Sequence, residues 1–192
     1  VAFKILEGTD AVPPGYQQMD CHMIFDIKIE GFRRKAQLVA GGHMTETPAV
    51  MTYATMVSRG TVRIALTIAA LNDLEVMTSN IKNAYLTSPC EEKIFTKLGP
   101  EFGEDQGKLA IIVRALYGLK SAGASFGRHL SDCMRTLGYQ SCKADPDLWY
   151  KAMTRPSDGF EYYAYVLLFV DDCLAINHDA ASALQEIDNY FP

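Results

Sequence analysis

The chain has 192 residues, 48% of them hydrophobic and 21% charged. That is the size of one domain or of part of a larger one, and the balance excludes a disordered tract, a collagen and a coiled coil. The longest uninterrupted apolar run, Tyr162–Val170, is nine residues, where a membrane-crossing helix needs about 20, so neither a spanning segment nor a membrane partner is expected.

The chain opens Val-Ala-Phe-Lys with no apolar stretch behind it, so no signal peptide is expected. Cys21, Cys90, Cys133, Cys142 and Cys173 are odd in number and form no Cys-x-x-Cys pair. That disfavours a zinc ribbon and a secreted disulfide framework, and predicts buried, reduced thiols in a cytoplasmic or nuclear protein. The net charge of −5 is unevenly spread. Up to Arg155 there are 18 basic residues against 16 acidic ones, or +2, while the last 37 residues carry seven acids and no Lys or Arg, or −7. A basic stretch feeding a concentrated acidic spot suits a metal site acting on a polyanion; the plainer alternative is a solvated acidic terminal helix.

Pro13-Pro14-Gly15 punctuates the entry. From Ile24 to Glu30, Phe25, Ile27 and Ile29 alternate with Asp26, Lys28 and Glu30, which predicts a half-buried strand. Gly31-Phe32 turns it into a return strand, Lys35–Ala40, broken by Gly41-Gly42 as a tip turn. Thr61–Leu71 predicts a helix with a wide apolar face of Val62, Ile64, Ala65, Ile68, Ala69 and Leu71. Strands are expected over Leu74–Ile81, Lys93–Leu98 and Leu109–Leu116, with a Gly/Asp/Glu-rich loop before the third. A second helix, Ser121–Leu137, carries Phe126, Leu130, Met134 and Leu137 on one stripe and is stopped by Gly138. After the Asp145-Pro146-Asp147 turn come strands Leu148–Met153 and Tyr162–Val170, the doublet Asp171-Asp172, a strand Cys173–Ile176 and a closing helix Ala180–Tyr190. Strands and helices mix without strict alternation, so the class is α+β.

The doublet is the sharpest chemical feature. Two adjacent carboxylates at a hairpin tip repel each other, and a hard divalent cation with oxygen ligands relieves that; an acidic turn facing water is the other reading. The four histidines have no metal-ligand spacing, and no Gly-Lys-Ser/Thr follows Gly41-Gly42 to make a phosphate loop. Lone Trp149 is expected in the core. Lys108, Arg114, Lys120, Arg128, Arg135, Lys143 and Lys151 stand against three acids between 106 and 151, a basic stretch that could track a template backbone.

Five stretches in order carry a resemblance covering about Tyr16 to Phe191. Arg34-Lys35-Ala36-Gln37-Leu38-Val39-Ala40-Gly41-Gly42, Ser79-Asn80-Ile81-Lys82-Asn83-Ala84-Tyr85-Leu86, Arg114-Ala115-Leu116-Tyr117-Gly118-Leu119-Lys120, Lys143-Ala144-Asp145-Pro146-Asp147-Leu148 and Phe169-Val170-Asp171-Asp172 resemble motifs of copia-type retrotransposon reverse transcriptases. The resemblance implies polymerase-type fingers (about 16–70 and 91–120) and a palm (about 71–90 and 121–192) with a ferredoxin-like antiparallel sheet packed on helices. The thumb and RNase H segments are expected to lie outside this chain. It implies an RNA-directed DNA polymerase working by two-metal nucleotidyl transfer with Mg²⁺ (or Mn²⁺), on an RNA/DNA template-primer and a deoxynucleotide triphosphate, as part of a polyprotein in virus-like particles or the nucleus.

Carried over by position, Asp171 would bind both metals, Asp172 would be the outer member, and Ile81 would offer its backbone carbonyl. Tyr85, with Ala84 beside it, would lie under the sugar and reject a 2′-hydroxyl. Lys35 and Gln37 would face the triphosphate, and Tyr117, Gly118 and Lys120 the nucleotide and template. Two positions depart from the family pattern: Asn80 stands where it carries a metal-bridging Asp, and Gln37 where it usually has Arg. Charges ~4 Å apart interact by about 4 kcal/mol at an effective dielectric near 20, so Asn80 is expected to impair catalysis. Glu75, five residues before it, should point to the opposite face of the strand. The alternatives are a non-catalytic nucleic-acid-binding remnant, or a host-adopted interaction module.

Overall fold

A computed structural model describes residues 1–8, 10–46, 48 and 52–191. It is mixed α+β, and its chain divides into two compact units, Val1–Tyr53 with Tyr85–Phe126 and Ala54–Ala84 with Gly127–Pro192. Residues 54–70, expected with the fingers-like part, group with the second unit. None of the helices among the described residues is long and apolar enough to cross a membrane.

The first unit holds β1 (Phe3–Ile5), β2 (Gln17–Gln18), β3 (Cys21–Lys28), β4 (Arg33–Ala40), β6 (Ile94–Lys97) and β7 (Leu109–Ile112). β5 (Glu75–Asn80) belongs to the second unit. Four of these strands form a sheet in the order β1-β7-β6-β2, in which only the β2–β6 pair is parallel. Its core gathers Met19, Ala40, Ile94, Ile112, Leu116, Leu119 and Ala122. β1 and β2 escape the sequence reading because three and two residues show no period.

Among the described residues β3 and β4 form a sheet of two strands, with Asp26 opposite Lys35 and Ile24 opposite Gln37. The alternation predicted one buried face. Instead Phe25 is 77% exposed, Ile29 87% and Phe32 83%. Period-two patterning reports a strand, and burial also needs a second layer, which this ribbon lacks among the described residues. Gly31, at φ 75°, makes its turn.

Gly41-Gly42 is not a tip turn. Gly42 is buried beside the chain at Gly118, and a Cβ at Gly42 would sit 2.0 Å from the Gly118 carbonyl oxygen. A Cβ at Gly118, itself at φ +92°, would sit 2.0 Å from the Ala40 oxygen. Two backbones approach too closely for any side chain. The Ala40 N–H donates to the Tyr117 oxygen (2.8 Å) and Lys120 Nζ to the Thr45 oxygen (2.5 Å), so the Leu-Tyr-Gly-Leu-Lys stretch buckles the end of β4. The expected strand to Leu116 ends at Ile112, and the loop before it winds as a short 3₁₀ stretch, Pro100–Asp105.

The second unit is built on a five-stranded antiparallel sheet of order β5-β11-β10-β9-β8. The strands are β5 (Glu75–Asn80), β8 (Gln140–Ser141), β9 (Leu148–Thr154), β10 (Glu161–Phe169) and β11 (Asp172–Asn177). Its helices are α1 (Arg59–Leu71), α3 (Ala180–Tyr190) and most of α2 (Ala122–Thr136), whose first residues lie in the other unit.

Both faces of β10 and β11 are covered. Leu167 and Ile176 pack with Ala65 and Ala69 of α1, while Val166, Leu168, Cys173 and Ala175 are buried on the other face. That double burial is why β10 reads as a continuous apolar run. Each of the Val, Leu and Ile side chains contributes roughly 1.5–3 kcal/mol.

α1 buries a narrower face than expected: Ile64 and Leu71 are exposed. Its start is earlier than the periodicity indicated, because Ser58 caps it, accepting from the Thr61 N–H (3.1 Å). α2 ends as expected in a Schellman turn, with Gly138 at φ +84° and the Tyr139 N–H bonded to the Met134 oxygen. Trp149 is 2% exposed, with the Arg135 guanidinium 5.6 Å from its ring.

Candidate functional site

The apolar β10 is turned back by Val170 and Asp171, because Phe169 pairs with Asp172 across a two-residue loop. A hairpin this tight needs a left-handed residue, and here Val170 takes it, at φ 58°. A β-branched residue there is strained by roughly 1–3 kcal/mol. The expected strand end at Val170 therefore moves back one residue, and Asp172 becomes the first residue of β11.

β5 lies beside β11 in a register that puts Asn80 opposite Asp172. The Asn80 Nδ2 donates to Asp172 Oδ1 at 3.0 Å, and the Ile81 N–H donates to the Asp171 backbone oxygen at 2.8 Å. Residues 92 and 90 apart in sequence are thus brought to one strand end. Asp171 is half-buried, Asn80 and Asp172 are exposed, and Ile81 is buried. Behind the doublet the Cys173 thiol is pushed up to about 12 by burial, then by Cys133, Asp172 and Asp171.

Glu75 is turned away from this corner: its Oε2 accepts the Ala180 N–H at the start of α3 (3.3 Å), where a carboxylate suits the helix dipole. A cavity of about 550 Å³ adjoins Asp172. Val57, Val62, Leu167, Phe169 and Leu174 give it an apolar lining, and Arg59 and Arg63, one turn apart on α1, bring guanidinium groups. The sequence reading missed both arginines, because Arg59 falls before Thr61, where the predicted helix began, and only the observed start at Arg59 sets the two one turn apart.

A sequence model of the family described as reverse transcriptase (RNA-dependent DNA polymerase) matches residues 10–190. The chain belongs to the reverse transcriptase family. The Pol polyprotein of transposon TNT 1-94 from Nicotiana tabacum is 28% identical over 186 residues, covering 92% of this chain and 13% of that protein. Those of transposons RE1 and RE2 from Arabidopsis thaliana are 26% and 25% identical, over 94% and 92% of the chain. The relatives are copia-type retrotransposon polyproteins, of which this reverse transcriptase region spans about an eighth.

Reverse transcriptase domains generally use divalent metal ions. Among the described residues no group of three or more His, Cys, Asp or Glu side chains could hold one. The donor set at the doublet is two carboxylates, with an amide where a third would stand. Carboxylate oxygens are the hard donors that a divalent cation such as Mg²⁺ takes, and Asp171 and Asp172 are the residues here that would supply them.

The other candidate residues of this reverse transcriptase region lie in the first unit, apart from Ala84, which is fully buried in the second. Lys35 lines a cavity of about 570 Å³ on the β3–β4 ribbon with Phe25, Asp26 and Arg34, and Gln37 is half-buried two residues on. Tyr85 stacks on Tyr117, centroids 4.5 Å apart. Gly118 and Lys120 are engaged with the end of β4, as described above.

Several members of the basic stretch also have partners within the chain, and the ion pairs of Lys108 and Arg135 are exposed. Lys108 pairs with Asp105 and Arg135 with Asp132, while Arg114 and Lys151 donate to the backbone oxygens of Thr87 and Leu137.

Proposed function

We propose that the chain is the fingers and palm of a copia-type RNA-directed DNA polymerase, with the second unit as palm and the ribbon-bearing first unit as fingers. The observation that carries this is the β5–β11 register: it sets position 80 against the acidic doublet, so that both motifs address the same phosphates. Asp171 and Asp172 would hold a Mg²⁺ (or Mn²⁺) ion, which supplies charge to stabilise the attacking and leaving oxygens of nucleotidyl transfer. The chain's own residues do the positioning. Val170 turns the chain so that Asp171 stands in the turn and Asp172 opens β11, Ile81 ties β5 to the turn, and Arg59 and Arg63 present positive charge beside Asp172 to a phosphate backbone or triphosphate. Lys35 and Gln37 would meet the triphosphate, and Tyr85 with Tyr117 the sugar and base.

Asn80 leaves the two-metal arrangement one carboxylate short, so nucleotidyl transfer is impaired. Primer extension on an RNA template, for the chain as it stands and for Asn80→Asp, tests this reading. A trace of Mg²⁺-dependent incorporation that rises at least tenfold in Asn80→Asp is the expected result. No incorporation by either, with no binding of template-primer, would sink it.

A further inference from the structure

The strand end that carries the acidic turn is enclosed by a ring of hydrogen bonds, and one carboxylate closes it. β9 pairs with β10 as far as Leu148 opposite Leu167, and then stops. At the next residue, Leu168, two loop segments take over: its N–H donates to the Asp147 oxygen (2.9 Å) and its oxygen accepts the Val57 N–H (3.1 Å). Neither segment belongs to a strand, so something else must hold them. Asp145 does so. Its Oδ2 accepts from the Ser58 N–H (3.0 Å) and from the Thr61 hydroxyl (2.5 Å), and its Oδ1 accepts from the Asp147 N–H (3.3 Å).

The circuit therefore closes: Asp145, Ser58, Val57, Leu168, Asp147 and back to Asp145. Three residues beyond Leu168 stands Asp171. Asp145 is 9% exposed, and burial opposes its charge. The hydrogen bonds from Thr61, Ser58 and Asp147 outweigh that and hold its carboxyl below the usual range.

We propose that Asp145, with Thr61 as its partner, is a positioning residue: it locks α1 and the 145–147 turn around Leu168 and so fixes the height of the Asp171-Asp172 turn. This rests on the reading of that turn as a metal site. The ring explains why Asp145 stands in the Lys-Ala-Asp-Pro stretch, which otherwise touches none of the chemistry. Asn cannot replace it fully, because three donors need two acceptor oxygens and an amide offers one. The proposed variants are Asp145→Asn, Thr61→Val, which removes the hydroxyl and keeps the shape, and Thr61→Ser, which restores it.

The readouts are amide hydrogen exchange and Mn²⁺ affinity by electron paramagnetic resonance, both on the whole chain. Asp145→Asn and Thr61→Val should exchange the Leu168, Val57 and Ile81 amides at least tenfold faster and bind Mn²⁺ several-fold more weakly, with Thr61→Ser near the parent. If Asp145→Asn fails to fold, Thr61→Val and Thr61→Ser carry the comparison. Faster exchange confined to the first turn of α1, with Leu168, Ile81 and Mn²⁺ affinity unmoved, would reduce Asp145 to a helix cap and overturn the proposal. A parent chain that binds no Mn²⁺ would overturn the metal reading instead, and the Leu168 and Ile81 amides would still decide whether the ring holds the turn.

Discussion

Asn80 and Asp172 face each other across the β5–β11 pair, amide nitrogen to carboxylate oxygen at 3.0 Å. An amide donates to Asp172 where a second carboxylate would repel it. Asn80→Asp removes that donor and sets two negative charges together. Both residues are exposed, so the repulsion is roughly 1 kcal/mol in water-like dielectric. The expected outcome is a lower melting temperature in EDTA, recovered or exceeded with millimolar Mg²⁺, in a thermal scan where the parent responds little to Mg²⁺.

Gly118→Ala should unfold the first unit. A Cβ 2.0 Å from the Ala40 oxygen, at φ +92°, allows no rotameric escape because both atoms are backbone. A loss of at least about 3 kcal/mol is expected, read by urea unfolding, or as insoluble expression.

Val170→Gly tests the strained turn. Relief of the left-handed β-branched residue should outweigh the added freedom of the unfolded chain by about 1 kcal/mol at most. Stability should rise slightly while the Asp171 amide exchanges faster. A clear loss of stability would mean that Val170 contributes packing beyond its strain.

Asp145 and Asp147 should respond to pH with opposite signs. Asp145 titrates below the ordinary value of 3.8, so the stability it contributes is present above 3.8 and is lost as pH falls through its lowered pKa. Asp147 is raised, chiefly by burial and against a hydrogen bond from Thr55, and one of its oxygens is buried with no partner. Its protonated form favours the fold, and that contribution is lost as pH rises through its raised pKa. At pH 7, Asp145→Asn should lose about 1–3 kcal/mol and Asp147→Asn should be neutral or stabilising; in urea titrations the Asp147→Asn difference should shrink as pH falls toward 3.8 and the Asp145→Asn difference only below it.

The thiols should be inert in the folded state. Burial pushes Cys90 up to about 11 and Cys133 and Cys173 up to about 12, leaving little thiolate at neutral pH. Iodoacetamide at pH 7.5 should label these three only when the chain is unfolded, scored by mass spectrometry.

Long, strongly patterned elements were legible in the sequence. The β10–β11 hairpin, α2 with its Gly138 stop and α3 all follow from apolar spacing and a few punctuating residues. The facing of position 80 and the doublet was an expectation from motif resemblance, and no local pattern could have supplied it, since register across about 90 residues is decided by tertiary pairing. The sequence misled where a pattern was real but no layer among the described residues covers it, as at Phe25 and Ile29, and at Ile64 and Leu71 on α1. It was silent on Asp145, because a carboxylate after Lys-Ala looks like an ordinary turn former until Ser58 and Thr61 are placed against it.

The β3–β4 ribbon has a practical consequence. Ile24, Phe25 and Ile27 lie open to water on a sheet of two strands, with Ile29 and Phe32 exposed at its turn, which is the form of surface that seeds edge-to-edge association. Purified on its own, the chain should self-associate as concentration rises, and placing Lys or Glu at positions 27 and 29 is the simplest way to keep it in solution for the measurements above.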